Sequence, residues 1–383
     1  MEAAGTTWIK RAGIAVVLIV VWLAWVEAAC FARLRMANTD TDVIPRSRLQ
    51  AVYKNAPWVN TLADEWKPSN LFSYEAYVGW ERKPFHGQTI NIDARGIRKS
   101  DPSHCSDRRT DDVAVIWMFG GSTIWGAGVP DWLTIPSLLA ARYEKDGHPV
   151  CVLNFGEKAW VNTQEMVKLT LELKRTTRKP DMVIFYDGPA DVYETYQSGR
   201  AGLHQNFDDT RQTLEGRASS GSGNFRYLLE SNVGKVFLQQ LLHDRMGTRA
   251  SAKNADAMAR ATVQCYLDNV RLIQALGREY EFEPMFFWEP ALSTGNKHLT
   301  SEEEAAKAAS RKQTPGLEEV DQAAYALVKA QAQPPVFPIA DALDSATDTV
   351  YFDEAHVSAE GNHLVADRMY ETIQRMKVSA VRF

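Results

Sequence analysis

Three residue types that cooperate in acyl transfer occur in two short stretches of this chain of 383 residues. Asp353 and His356 lie in YFDEAH (351–356), and Ser122 lies far upstream in FGGST (119–123). A serine hydroxyl becomes a good nucleophile when a neutral imidazole takes its proton and a carboxylate orients that imidazole. The three residues therefore predict a Ser-His-Asp site. The alternative for Asp353 and His356 is an N-cap or surface pair ahead of the last helix.

The elements around these residues predict an α/β fold with a central parallel sheet. After residue 112, apolar runs alternate with amphipathic stretches, which is typical of parallel strands covered by helices. The predicted strands are 113–119, 150–154, 182–186, 283–288 and 336–339. Ser122 follows the first of them, and ligands in open α/β sheets bind at the carboxyl ends of strands. The turn is not a G-x-S-x-G elbow, because Ile124 stands in place of the second glycine.

Four ordered blocks resemble those of the SGNH/GDSL hydrolase family. GGSTIWG (120–126) is similar to its first block, NFG (154–156) to its second, FYDGPADV (185–192) to its third and DEAH (353–356) to its last. Upstream, YVGW (77–80) and TINID (89–93) look like the N-terminal part of membrane-anchored members. The resemblance implies a three-layer α/β/α SGNH-hydrolase-like domain with a central parallel sheet, preceded by one N-terminal transmembrane helix.

The resemblance also implies a role for each matching residue. Ser122 would attack a carbonyl carbon, His356 would take the proton of Ser122, and Asp353 would orient His356. The backbone N–H groups of Ser122 and Gly156 would bind the oxyanion. No cofactor and no metal ion enter this mechanism.

One position departs from the family pattern. Ala190 stands where the third block usually has asparagine, so one oxyanion donor is missing. Removing one such donor typically slows a reaction by about 10²- to 10³-fold. The sequence leaves open whether the side chain of Asn154 or Asn162 supplies the donor instead.

Three functions follow from these blocks. The first is a serine ester hydrolase, of the O-deacylase or acetylesterase kind, that acts outside the cytoplasm on an acylated small molecule or carbohydrate. The second is an O-acyltransferase that modifies a cell-surface polysaccharide. The third is a weakly active or noncatalytic carbohydrate-binding protein that kept the triad pattern without the asparagine. No protein partner is indicated by the sequence.

An apolar run at 12–32, interrupted only by Glu27, predicts a membrane span, because roughly 20 apolar residues cross a bilayer core. Basic residues flank both ends, so loop charge hardly decides the orientation. We expect a single-pass protein with its catalytic domain in the periplasm or outside the cell; the alternative is a cleaved signal peptide. The predicted organisation is a membrane anchor (1–36), an extension of short strands and loops (37–110) and the SGNH-like domain (111–383).

Composition argues against several other classes. A net charge of -5 and the lack of a long basic run give no footprint for nucleic acid. DEAH is also a helicase motif, but no phosphate loop accompanies it. The four cysteines lack the spacing of a zinc site. Cys151, in a predicted strand, and Cys265, in a predicted helix, are expected to be free and buried.

Several further residues are candidates for parts of the site. Glu289 ends the strand 283–288, and it either lines the pocket or faces solvent. Asp187 and Asp191 could form the carboxylate pair of a glycosidase, but loop caps are the simpler interpretation. The long loop 197–223 is expected to border the site, and the charged insertion 301–312 either covers the site or lies in solvent.

Overall fold

The computed structural model describes residues 14–31, 44–54, 56–105, 113–207, 210–211 and 252–376. The chain divides into two units, residues 1–42 with 209–248 and residues 43–208 with 249–383. In the first unit, helix α1 (Ile14–Phe31) has 18 residues and is apolar enough to cross a membrane. At 1.5 Å per residue it is about 27 Å long, close to the thickness of a bilayer core. By length and composition α1 is therefore a candidate span, and a signal sequence would pass the same test.

The second unit begins with an N-terminal segment, which we define as residues 44–105. It contains helices α2 (Arg46–Tyr53) and α3 (Val59–Ser69) and two hairpins, β1 (Phe72–Ser73) with β2 (Glu81–Arg82) and β3 (Phe85–His86) with β4 (Asn91–Ile92). The two helices add to the short strands and loops that the sequence predicts for this part of the chain. Leu62 and Trp66 of α3 pack in one apolar cluster with Trp125 and Phe352, so this segment shares a core with the rest of the unit.

A five-stranded parallel sheet forms the centre of the unit, as predicted. Its strands are β5 (Val115–Gly120), β6 (Cys151–Asn154), β7 (Met182–Asp187), β8 (Glu283–Trp288) and β9 (Val336–Pro338), in the spatial order β6-β5-β7-β8-β9. Val115 is paired with Cys151 on one side of β5, and Ile116 with Met182 on the other. All six residues of β5 are buried, because helices cover both faces of the sheet.

Helices form the two outer layers of the predicted α/β/α arrangement. They are α4 (Ser122–Trp125), α5 (Ile135–Lys145), α6 (Asn162–Arg175), α7 (Pro189–Ser198), α8 (Ala252–Tyr280), α9 (Ser301–Gln313), α10 (Leu317–Gln331) and α11 (Ala359–Arg375). Leu139 of α5 and Met369 of α11 pack on the face that carries Ile116. Leu169 of α6 and Val320 of α10 pack on the opposite face. Successive side chains along each strand point to opposite faces of the sheet, so they contribute to two separate apolar clusters, one between the sheet and each helical layer.

A row of phenylalanine rings crosses the sheet near its carboxyl edge. Phe119 of β5 stacks on Phe155 with 4.8 Å between ring centroids and on Phe185 of β7 with 5.2 Å. Phe185 in turn stacks on Phe286 of β8 at 5.4 Å. The row packs the ends of three neighbouring strands against each other directly below the turn that carries Ser122.

The cysteines differ from the sequence-based expectation. Cys151 of β6 is bonded to Cys105 at the end of the N-terminal segment, so it is not a free buried thiol. Cys265, on α8, and Cys30, on α1, are free. Pairing depends on distance in the fold, and a strand position by itself does not reveal a partner 46 residues away.

Candidate active site

Ser122 occupies the turn between β5 and α4, at the carboxyl edge of the sheet. Gly121 is the extended N-cap residue of α4, with φ -75° and ψ -153°. Gly120 has no room for a side chain, because a Cβ there would lie 2.7 Å from the carbonyl oxygen of Tyr186 on β7. The small residues let the chain leave the sheet sharply, and the serine becomes the first residue of the helix.

His356 and Asp353 reach the same edge from the loop before α11. The Ser122 hydroxyl lies 2.7 Å from Nε2 of His356, across 234 residues of sequence. On the other side of the ring, Nδ1 of His356 lies 2.8 Å and 2.9 Å from the two carboxylate oxygens of Asp353. Oδ1 of Asp353 also accepts hydrogen bonds from the backbone N–H groups of Ala355 and His356, at 3.1 Å and 2.8 Å. The carboxylate is therefore held in place by the same loop that carries the imidazole.

The electrostatics of the pair favour a carboxylate facing an imidazole that binds a proton readily. Burial acts to raise the pKa of Asp353, but the charge of His356 and the hydrogen bonds to Asp353 outweigh it, so this pKa is lowered. Burial acts to lower the pKa of His356, but the charge and hydrogen bond of Asp353 outweigh it, so this pKa is raised. The arrangement stabilises the imidazolium that forms when His356 takes the proton of Ser122.

The structure corrects the position assigned to Gly156. Its N–H donates to Oδ1 of Asn154 at 2.9 Å, and a Cβ at Gly156 would lie 2.3 Å from the backbone nitrogen of Trp125. The glycine is required for close packing against α4, and it does not line the cleft around Ser122. Its amide is therefore engaged and is not directed at a reacting group.

Ala159, three residues further along the same loop, lines the cleft in place of Gly156. Its φ is 56°, a left-handed conformation that alanine rarely adopts and that is held by the surrounding structure. Within the described residues its N–H has no hydrogen-bond acceptor, and neither has the N–H of Ser122 at the start of α4. These two amides are the candidate oxyanion donors.

Ala190 lies at the cleft, at the start of α7, where its Cβ is 3.7 Å from the position that a Cβ would take on Gly121. Neither of the two asparagines considered above replaces the missing donor. The side-chain amide of Asn154 donates to the carbonyl oxygen of Ile124 at 3.0 Å. That of Asn162 donates to Oδ2 of Asp187 at 2.8 Å. Both asparagines are buried and lie outside the cleft lining.

The cleft around Ser122 has a volume of about 910 Å³. Its walls come from the loop at Lys158, from α7, from the junction between α9 and α10, and from the His356 loop. The walls combine apolar surface with polar side chains, which include Tyr193, Glu194, Ser310, Gln313, Thr314 and Gln322, and Gln205 from the segment after α7. The insertion 301–312 thus forms a helix that borders the site. Only residues 197–207 and 210–211 of the loop 197–223 are described; Gln205 lines the cleft, and the rest lies outside the described residues.

Buried carboxyl groups lie at and beneath the cleft. Glu289 lines the cleft, as one of the two alternatives anticipated, and burial raises its pKa well above the ordinary value. Asp187 and Asp191 do not line it. Asp191 accepts the backbone N–H of Asn162 at 3.1 Å, and burial raises the pKa of Asp187 to about 6. Asp187 and Asp191 therefore act as buried partners of Asn162, in agreement with caps and not with a glycosidase pair.

Metal ligation has no obvious place here. Across the described part of the chain, no group of three or more His, Cys, Asp or Glu side chains is arranged to hold an ion.

No family model matches the chain, and no curated protein matches it. Solved structures similar to it include a lipolytic G-D-S-L family member from Veillonella parvula, 12% identical, covering 69% of this chain and 100% of that one (TM-score 0.36). Another is a lipase/acylhydrolase from Enterococcus faecalis, 14% identical over 69% and 97% of the two chains (TM-score 0.35). A third is a psychrotrophic esterase from a Pseudoalteromonas species, 10% identical over 69% and 98% (TM-score 0.34). Similarity at this level does not assign a reaction to this chain. The reaction has to be inferred from the residues of the cleft.

We expect the stability of the protein to depend on the protonation of Glu194, on the α7 wall of the cleft. Burial raises the pKa of its carboxyl from 4.5 to about 8, so the folded state keeps a proton that the unfolded state releases. Stability from this group is present below pH 4.5, is lost as the pH rises to 8, and changes no further above it. At about 1.4 kcal/mol per pKa unit, the loss amounts to a few kcal/mol.

Thermal unfolding of wild type and Glu194→Gln between pH 4.5 and 9 measures this effect. The variant should gain stability over wild type progressively up to pH 8 and hold a constant advantage above it. Glu319→Gln, which removes an exposed carboxylate from the same cleft, is the matched control. A difference between Glu194→Gln and wild type that does not change with pH would contradict the assignment.

Proposed function

We propose that the protein is a serine ester hydrolase of the SGNH/GDSL type. The observation that carries this proposal is the continuous hydrogen-bonded series from the Ser122 hydroxyl through the His356 ring to the Asp353 carboxylate. The series lies in an open cleft at the carboxyl edge of a parallel sheet, where substrates of α/β proteins bind. A protein that only binds carbohydrate has no need of this hydrogen-bonded series, so its presence favours catalysis over the noncatalytic alternative.

The chemistry begins when Oγ of Ser122 attacks the ester carbonyl carbon and Nε2 of His356 takes the hydroxyl proton. The tetrahedral intermediate collapses as His356 returns this proton to the leaving alcohol, which leaves an acyl group on Ser122. A water molecule then gives a proton to His356 and attacks the acyl group. As this second tetrahedral intermediate collapses, His356 returns the proton to Oγ of Ser122 and the acid departs. Asp353 keeps the imidazole oriented in both halves and stabilises its charged form.

The oxyanion would be bound by the backbone N–H groups of Ser122 and Ala159. Ala190 contributes no donor, and the absence of one donor corresponds to a loss of about 10²- to 10³-fold in rate. We therefore propose an active enzyme whose chemical step is slow.

The cleft supports a substrate larger than a simple acetate ester. A volume of about 910 Å³ exceeds the needs of a small acyl group, and the hydroxyl, amide and tyrosine side chains on its walls suit a polyhydroxylated molecule. An acylated carbohydrate is accordingly the substrate class we propose. The same volume favours a second candidate, an O-acyltransferase, because a sugar hydroxyl has room to take the place of water in the second half of the reaction.

We also propose that the catalytic unit works outside the cytoplasm, in the periplasm or at the cell exterior, and that α1 attaches the protein to the membrane as a single span. Two features support this: the length and apolar composition of α1, and the bond between Cys105 and Cys151, since disulfides persist in oxidising compartments.

Hydrolysis of p-nitrophenyl acetate tests the enzymatic proposal. Wild type should turn the ester over slowly, Ser122→Ala should fall to background, and Ala190→Asn should raise kcat by about 10-fold or more, because it restores a donor where charge develops. Ala190 is only partly buried and faces the cleft, so the larger side chain has space. Background turnover in both wild type and Ala190→Asn would contradict the proposal.

The location can be tested by alkylating cysteines in protein taken directly from cells into denaturant. We expect Cys30 and Cys265 to be labelled without reduction, and Cys105 and Cys151 to be labelled only after a disulfide reductant is added. The two free cysteines are internal controls for the labelling reaction. Immediate labelling of all four cysteines, read by peptide mass spectrometry, would argue for a reducing compartment and against the proposed location.

A further inference from the structure

Two buried arginines contact the helix that carries Ser122. Trp125 lies at the end of α4, three residues after Ser122, and both guanidinium groups stack on its ring. The central carbon of the Arg82 guanidinium lies 3.8 Å from the ring centroid, and that of Arg98 lies 4.2 Å from it. The two side chains are 1% and 0% exposed. Burying a guanidinium is costly unless its N–H groups are well paired, so the partners of each arginine indicate what it holds.

Arg98 binds the backbone directly after Ser122. Its Nη1 donates to the carbonyl oxygens of Trp125 and Gly126, at 2.8 Å and 2.7 Å, and its Nη2 donates to that of Val129 at 2.7 Å. Its Nε donates to Asp131 at 2.9 Å. These carbonyl groups belong to the end of α4 and the turn that follows. A helix of one turn cannot maintain its own position, so this turn depends on outside partners.

Arg82 binds the loop that leads to Ala159. Its Nε donates to Oε1 of Glu157 at 3.0 Å, and its backbone N–H donates to Oε2 at 2.9 Å. Glu157 also accepts the backbone N–H of Lys158 at 2.7 Å, and its own N–H donates to the carbonyl oxygen of Gly120 at 3.0 Å. Glu157 thus connects Arg82 to the residue that precedes Ala159 through its carboxylate, and to the end of β5 through its backbone N–H.

We propose that Arg82 and Arg98 are positioning residues for the Ser122 site. Through Trp125 and Glu157 they set the distance between the serine hydroxyl and the Ala159 amide. This inference rests on the proposed function of Ser122. It makes the N-terminal segment part of the catalytic apparatus, because both arginines belong to that segment. A displacement of about 1 Å between reacting groups can cost on the order of 10²-fold in rate, so the effect should fall on kcat.

The test compares wild type with Arg82→Lys and with the double variant Arg82→Met/Glu157→Gln. The double variant removes the pair without leaving a buried charge unpaired. Arg82→Lys keeps the charge and loses the planar guanidinium, whose Nε donates to Glu157 and whose Nη1 donates to Ser69 and Asn70. Arg95→Met is the matched control, because Arg95 lies in the same segment with its side chain 54% exposed and forms its ion pair with Asp93, two residues away.

For p-nitrophenyl acetate we expect the double variant to lose at least about 10-fold in kcat with KM changed less than about 3-fold. Arg82→Lys should fall between the double variant and wild type, and Arg95→Met should equal wild type. Amide hydrogen exchange in residues 121–127 and 156–161 should be faster in the double variant at a temperature well below its unfolding midpoint. If the double variant does not fold, the kcat and the amide hydrogen exchange of Arg82→Lys decide whether Arg82 positions the site.

A folded variant at position 82 with unchanged kcat and unchanged exchange would overturn the inference. Failure of the proposed function would look different: wild type would show no turnover dependent on Ser122. The exchange measurement would then still decide whether Arg82 holds the two loops, because it does not require activity.

Discussion

The hydrogen bond between the Ser122 hydroxyl and Nε2 of His356 is the interaction on which the site depends. It joins residues 234 positions apart at a distance of 2.7 Å, so no local element can produce it. Parallel strands make it possible because their carboxyl ends meet at one edge of the sheet, where β5 delivers the serine. The loop before α11 carries the histidine at the same edge. Helices α5 and α11 pack together on one face of the sheet, and this packing holds the start of α11, and with it the loop, near that edge.

The free-energy cost of burying charged groups near this edge is offset by partners within the same unit. Arg82 and Arg98 contact carboxylates, carbonyl oxygens and an indole ring. Burial lowers the pKa of both guanidinium groups, to about 10 for Arg82, and the neighbouring carboxylates of Glu157 and Asp131 oppose this shift. Glu165, Asp187 and Asp191 lie under the edge with no cationic partner among the described residues, and burial raises the pKa of each carboxyl. Burial therefore favours the protonated forms of these carboxyl groups, because an ionised carboxylate without a cation is costly to bury. The positioning of the site therefore has a cost that the apolar clusters on both faces of the sheet must offset.

Much of the site could be predicted from local patterns. An apolar run followed by Gly-Gly-Ser indicates a strand that ends in a sharp turn, and the structure has Ser122 there. Other features could not be predicted, because they depend on contacts distant in sequence. The resemblance assigns the Gly156 N–H to the oxyanion hole, but Gly156 packs closely against Trp125 and its N–H donates to Asn154. Alanine gives no sign of a left-handed conformation, so Ala159 was missed. The bond between Cys105 and Cys151 follows from a distance that only the fold determines.

The central claim is that His356 activates Ser122 as a nucleophile, and covalent labelling tests it most directly. The detergent-extracted full-length protein is treated with a fluorophosphonate across a range of pH, and peptides are examined by mass spectrometry beside a known serine esterase. We expect one adduct, on Ser122, that forms faster as His356 loses its proton, with an inflection above the ordinary imidazole pKa because Asp353 raises the pKa of His356. The His356→Ala variant should react at least about 10²-fold more slowly. An unmodified Ser122 under conditions that fully label the reference esterase would contradict the claim, and so would labelling that is independent of His356.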